Sequence, residues 1–188
     1  MDEMIKYINS DGIVQAWHHL TSTYFDRNRP RIDPVVCVNV LTLFYRYGRG
    51  TQLSQTFQWV YQILYYRAYL DGTRYYCYPE SFLYFLNRLI ASSDSPELHR
   101  YLKPLLLERV LERIGASGDA MALAMRILVC KSMGIRNEVD ARSLLALQCE
   151  DGGWELCWMF QHPSTKTKVG NRGLNTALAI NAINAVKE

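Results

Sequence analysis

Several side chains of this 188-residue chain are of types, and at spacings, that can do chemistry. Arg172 lies in the loop Gly170-Asn171-Arg172-Gly173-Leu174-Asn175-Thr176, which heads a small-residue helix. An arginine beside the free N–H groups of a helix start can hold an anion, and capping is the alternative use of such a loop. Arg74 stands beside a second Asp-Gly turn, so the two arginines are the candidate contacts for a diphosphate. Tyr75, Trp154 and Trp158 are candidate substrate contacts, because aromatic faces stabilise cations. They serve equally as core with polar edges at a rim. Asp151, Cys157 and His162 raise a metal question, with Cys-x4-His in a loop. His18-His19 reads as a surface pair. Asp33, ahead of Pro34, and Asp119, ahead of Ala120, each read as the N-cap of an apolar helix.

The elements that must position these groups all read as helices. Val35 to Tyr47 is apolar nearly all round and is closed by Gly48 and Gly50, as expected of an interior helix. Gln52 to Leu70 repeats Leu53, Phe57, Val60, Leu64 and Ala68 at helical spacing and ends at Asp71-Gly72. Pro79 starts another helix. Ser95-Pro96-Glu97 starts a further one, which Pro104 kinks or divides. After the Gly115–Gly118 break, Asp119 caps the dense apolar run Ala120 to Met133, and Asn137 caps the helix leading to Gln148. Pro163 to Gly170 reads as a polar loop and Leu174 to Val186 as an Ala-rich helix. No strand-like alternation is visible. The expected fold is all-α, with residues 1–32 a polar segment with a short helix and 33–188 one domain.

A weak internal repeat runs through this pattern. Gln62 to Asp71-Gly72 and on to Tyr76 matches Ala141 to Asp151-Gly152-Gly153-Trp154, the turns standing 80 residues apart. Each unit reads outer helix, Asp-Gly turn, aromatic residue, inner helix, which fits hairpins of about 40 residues in a ring or an open solenoid.

Gln148-Cys149-Glu150-Asp151-Gly152-Gly153-Trp154 fits Q-x-x-x-G-x-W and resembles the QW repeat of the squalene-cyclase and terpene-cyclase superfamily. In physical terms it is a clip: a glutamine amide for backbone groups, glycines for a tight turn, and an indole packed on the next hairpin. The resemblance implies an α/α toroid, incomplete here, because four inner helices are visible, starting at Asp33, Pro79, Asp119 and Leu174. It also implies isoprenoid chemistry. Gly118-Asp119-Ala120 resembles the head of the helix carrying the D-x-D-D acid of class II cyclases, which protonates an alkene in a dry aromatic cavity. Asp119 is the one aspartate present, with Ala116, Ser117 and Gly118 before it. By this resemblance Asp119 or Asp33 is the acid of a protonation-initiated cyclisation of a polyprenyl chain. The alternative is a noncatalytic toroid that binds an isoprenoid or a partner protein after loss of the acid motif. Protein prenyltransferases share the toroid and hold zinc, but their Asp-x-Cys pairing is absent here, so no metal site is expected. No D-D-x-x-D motif, P-loop or dinucleotide fingerprint occurs. No cofactor is expected, apart from Mg2+ if the substrate is a diphosphate.

Composition narrows the partners. A net charge of +3, with no Lys/Arg cluster, argues against nucleic acid. Five irregularly spaced cysteines indicate free thiols in a reducing compartment. The polar start and the lack of a bilayer-length apolar run point to a cytoplasmic protein, with peripheral membrane contact open. A partial toroid leaves apolar edges, which suggests a homodimer or a companion cyclase domain.

Overall fold

The computed structural model describes residues 1–15, 31–162 and 164–187, so His18 and His19 lie outside the described residues. Eight α-helices and one small hairpin are formed among them: α1 (Asp2–Ile5), α2 (Pro34–Arg46), α3 (Ser54–Tyr65), α4 (Pro79–Ala91), α5 (Lys103–Leu111), α6 (Ala120–Ser132), α7 (Glu138–Ala146), β1 (Trp158–Gln161), β2 (Lys168–Gly170) and α8 (Arg172–Lys187).

The helices stand in two layers. One row is α2, α4, α6 and α8, each packed on the next; α3, α5 and α7 lie over the junctions. Burial explains this division. In α6 both flanks are covered, so Ala120 to Ile127, Val129 and Cys130 are all buried. In α3 only one stripe is buried, at Thr56, Phe57, Val60 and Leu64, as a helix packed on one side requires. Among the described residues no packing interface of comparable extent joins α8 back to α2, so the row is an open arc. Its interior has two apolar clusters, one built on α2–α5 and one on α6–α8 with Trp154; Tyr84 touches both.

The caps lie where the sequence indicates. Asp33 accepts from the N–H groups of Val35 and Val36, Asp119 from those of Met121 and Ala122, and Asn137 from that of Asp140. Pro104 falls in the first turn of α5, directly after a wide turn at Leu98–Leu102 where the ladder loses register, so the expected helix is divided. Val14, in the N-terminal segment, is fully buried and donates its N–H to Thr56 Oγ1 at 3.2 Å.

Two expectations are corrected. The helix expected through Leu70 ends at Tyr65, with Arg67 in the left-handed region at φ 58°. Ala68 N–H donates to the Ile63 carbonyl and Arg67 N–H to the Leu64 carbonyl, a terminating pattern that ordinarily uses glycine. Arg67 also forms a bidentate pair with Glu112, a tertiary contact invisible to local periodicity. The second correction is the hairpin: β1 pairs antiparallel with β2, Trp158 opposite Gly170, where a loop was expected. Four residues on one side and three on the other are too short for alternation to register in sequence.

Candidate functional site at the rim of the inner helices

The helices of the inner row start at one end of the arc, and their first residues are tied together there. Asp33, at the head of α2, is completely buried; its Oδ2 accepts the N–H of Tyr75, just ahead of α4, at 3.2 Å. Tyr78, the N-cap of α4, donates its hydroxyl to Asp119 Oδ2 at the head of α6. The same phenol oxygen accepts the N–H of Trp158 on β1 at 3.3 Å. Asn175, in the first turns of α8, donates Nδ2 to the Glu155 carbonyl at 2.6 Å and to Cys157 Sγ at 3.2 Å. Gln161 N–H donates to the Tyr75 carbonyl at 2.8 Å, so the hairpin is tethered to the same rim.

Aromatic rings crowd this end. Tyr75 and Phe160 stack with centroids 5.6 Å apart and planes 6° from parallel, and Tyr76 meets Phe160 edge-on. Tyr75 is buried and its hydroxyl has no partner, as does Asn175 Oδ1. Burial and the Asp119 hydrogen bond push the Tyr78 phenol above its ordinary range. Burial, with the Asp119 charge adding to it, pushes the Cys157 thiol up to about 11.

The Gln148–Trp154 stretch forms a closed turn. Gln148 Nε2 donates to the Gly152 carbonyl at 2.8 Å, bonding within the turn itself. Gly152 has φ 82° and Gly72, in the matching Asp-Gly turn, 78°, so both turns need a residue at ease in the left-handed region. Trp154 is buried; its Nε1 donates to the Leu144 carbonyl of α7 at 2.7 Å, and its N–H to Thr176 Oγ1 of α8 at 3.2 Å. It therefore joins α7 to α8 and has its donor committed. Beside it an open cleft of about 430 Å³ is lined by Asp151, Gly152, Gly153, Arg172, Gly173 and Thr176. Arg172 is exposed there and pairs with Asp151 at 2.7 Å.

The structure thus brings Asp33, Tyr75, Asp119 and Trp158 to one rim. Trp154 sits in the α7–α8 joint, Arg172 in the adjoining cleft, and Arg74 is exposed four residues ahead of Tyr78. Cys157 turns inward beneath the hairpin, whereas His162 is exposed and accepts from Thr165 N at 3.2 Å. Among the described residues no three His, Cys, Asp or Glu side chains converge as metal ligands.

Sequence reasoning missed the Tyr78–Asp119 contact and the buried charges behind the rim. Arg126, in the middle of α6, has no side-chain exposure; it pairs with Glu80 at 2.8 Å and Asp140 at 2.7 Å. Arg113 joins Glu80, and Asn137 Nδ2 donates to Asp140. The available signal was an arginine inside an otherwise apolar run, since a buried charge needs partners.

Comparison with known proteins follows this geometry. Residues 1–47 match the family model described as the sesquiterpene cyclase astC-like C-terminal domain. Over 183 residues, 97% of the chain, the sequence is 44% identical to "Drimenol cyclase drtB" of Aspergillus calidoustus, and the match covers 33% of that protein. The chain therefore spans about one third of the length of this curated relative. Both matches are to proteins described as terpene cyclases. No solved structure matches the chain.

Proposed function

We propose that the chain is a terpene cyclase domain forming an arc of an α/α toroid, and that its rim takes part in protonation-initiated cyclisation of a C15 polyprenyl diphosphate. The observation that carries this reading is the meeting of Asp119, Tyr78, Trp158 and the Tyr75–Phe160 stack at the heads of adjacent apolar helices. The 44% identity to a drimenol cyclase over nearly the whole chain supports the substrate class.

Of the two aspartates, Asp119 is the proposed acid. Asp33 is enclosed and its oxygens serve three backbone N–H groups, whereas Asp119 is half-buried. In the proposed step the Asp119 carboxyl proton moves to the terminal alkene carbon, whose π pair becomes the new C–H bond and leaves a tertiary cation. Internal alkene π pairs then form ring C–C bonds in turn, and loss of a proton or capture by water ends the sequence. Aromatic faces at Trp158 and Phe160 would stabilise the passing charge. Arg172 and Arg74 are the proposed diphosphate contacts, with Mg2+ entering only as a counter-ion of that group. The remaining wall of the chamber would come from a companion domain or a second copy. The setting proposed is cytoplasmic, with peripheral membrane contact as the route for a lipid-like substrate; no helix among the described residues is long and apolar enough to cross a membrane.

A second reading has its own support. Three donors already converge on the Asp119 carboxyl, two from the backbone and one from Tyr78, as in a purely structural cap. On that reading the chain binds an isoprenoid or a partner without turnover. Incubation with farnesyl diphosphate, with and without Mg2+, followed by gas chromatography–mass spectrometry separates the two. Cyclic products that disappear in Asp119→Asn and persist in Asp33→Asn support the first reading. Folded protein that binds farnesyl diphosphate without turning it over, also when the companion domain is supplied, supports the second.

A further inference from the structure

We propose that Tyr78 is the positioning residue of Asp119, fixing which way the carboxyl faces and coupling it to the β1–β2 hairpin. This inference rests on the reading of Asp119 as the acid.

The residue type at position 78 is the first observation. Tyr78 is an N-cap, yet its side chain makes no capping hydrogen bond, so α4 does not need a hydroxyl there. Its φ of -106° and ψ of 135° and the following Pro79 direct the chain into the helix without one. The phenol instead reaches across to α6.

Hydrogen-bond bookkeeping supplies the second. A phenol has one proton and two lone pairs. The Trp158 N–H takes a lone pair, because an amide N–H can only donate, and the Tyr78 proton goes to Asp119 Oδ2. Asp119 Oδ1 is held by Met121 N–H at 3.1 Å and Ala122 N–H at 3.0 Å. The two carboxyl oxygens are therefore distinguished: one belongs to the helix, the other to Tyr78. Removal of the phenol oxygen takes away the hydroxyl that Oδ2 accepts and cuts the link from the carboxyl to the backbone of β1, leaving the buried Cys157 thiol as the neighbouring titratable group. The hairpin has other tethers, at Gln161 and Cys157, so the ring alone suffices to fill the site.

The test compares the parent protein with Tyr78→Phe, Asp119→Asn and the double variant. Asn is as good an N-cap as Asp, so the second variant keeps the helix start. With farnesyl diphosphate, Tyr78→Phe is expected to lower kcat about a hundredfold while KM stays within about threefold, as for a misplaced reacting group. The double variant is expected to be no slower than Asp119→Asn. A parental kcat in Tyr78→Phe, with Asp119→Asn inactive, overturns the role of Tyr78 and leaves the cyclase reading standing. A loss confined to KM and the unfolding midpoint also overturns it, since that is the signature of a structural residue. Parental turnover in Asp119→Asn removes the acid reading, and the inference with it. A second measurement needs no turnover: the Tyr78 13Cζ resonance, assigned by its absence in Tyr78→Phe. In the parent it is expected to titrate above the ordinary tyrosine range, through burial and the Asp119 carboxylate, and in Asp119→Asn lower, because the carboxylate no longer opposes ionisation. Identical titrations overturn the coupling.

Discussion

Arg126 shows how much a single side chain can tie together in this molecule. Its guanidinium meets Glu80 of α4, Asp140 of α7 and the Ala116 carbonyl, so three elements and the turn before α6 depend on it. Removal of Arg126 leaves the buried Asp140 carboxylate without a counter-charge and Glu80 with Arg113 alone. Arg126→Met is therefore expected to lower the unfolding free energy by about 3–5 kcal/mol, measured by denaturant titration. Trp154 is the apolar counterpart. Trp154→Phe keeps a ring in the α7–α8 joint but removes the Nε1 hydrogen bond to the Leu144 carbonyl, which retains the Leu147 N–H, and the same titration should show a loss of about 0.5–1.5 kcal/mol.

At the scale of elements, the two Asp-Gly turns set where the chain leaves an outer helix for an inner one. Both glycines have positive φ, but their surroundings differ. A methyl group on Gly152 meets nothing within 4 Å, whereas on Gly72 it would stand 2.8 Å from the carbonyl oxygens of Tyr76 and Cys77. Gly152→Ala should therefore cost only the left-handed penalty of about 1–2 kcal/mol. Gly72→Ala should add an overpacking cost of about 1–3 kcal/mol, because backbone cannot swing aside. Equal unfolding midpoints for the two variants would contradict this difference. The hairpin matters differently: it contributes little buried area, yet it brings Trp158 and Phe160 to the helix heads.

For the whole molecule, the buried thiols link stability to alkaline pH. Burial raises Cys37 to about 12, and Cys130 and Cys157 each to about 11. An unfolded thiol ionises near pH 8.5. Between that pH and the raised folded values the unfolded chain holds fewer protons than the native one, so stability falls as pH rises. Each thiol can contribute a slope of up to about 1.4 kcal/mol per pH unit in that window. Denaturant titrations from pH 8 to 10.5 should show this decline, and Cys37→Ala should reduce it. A stability that is level across this range would mean that these thiols ionise in the folded protein as they do in water.

The sequence by itself determined the helices and their caps. Asp33-Pro34, Asp119 and Asn137 act through hydrogen bonds within three residues of themselves, and apolar periodicity repeats every turn, so both are written locally. It also marked Asp33, Tyr75, Asp119 and Trp158, the residues that gather at the rim. Tertiary structure alone decided that they gather. Tyr78 reaches Asp119 across 41 positions and Trp158 meets Tyr78 across 80, separations over which one sequence carries no register. The same holds for Arg67, which pairs with Glu112 across 45 positions, and for Arg126, whose partners come from two other helices. A cap is a property of one helix end, whereas a site is a property of several ends brought to the same place by packing.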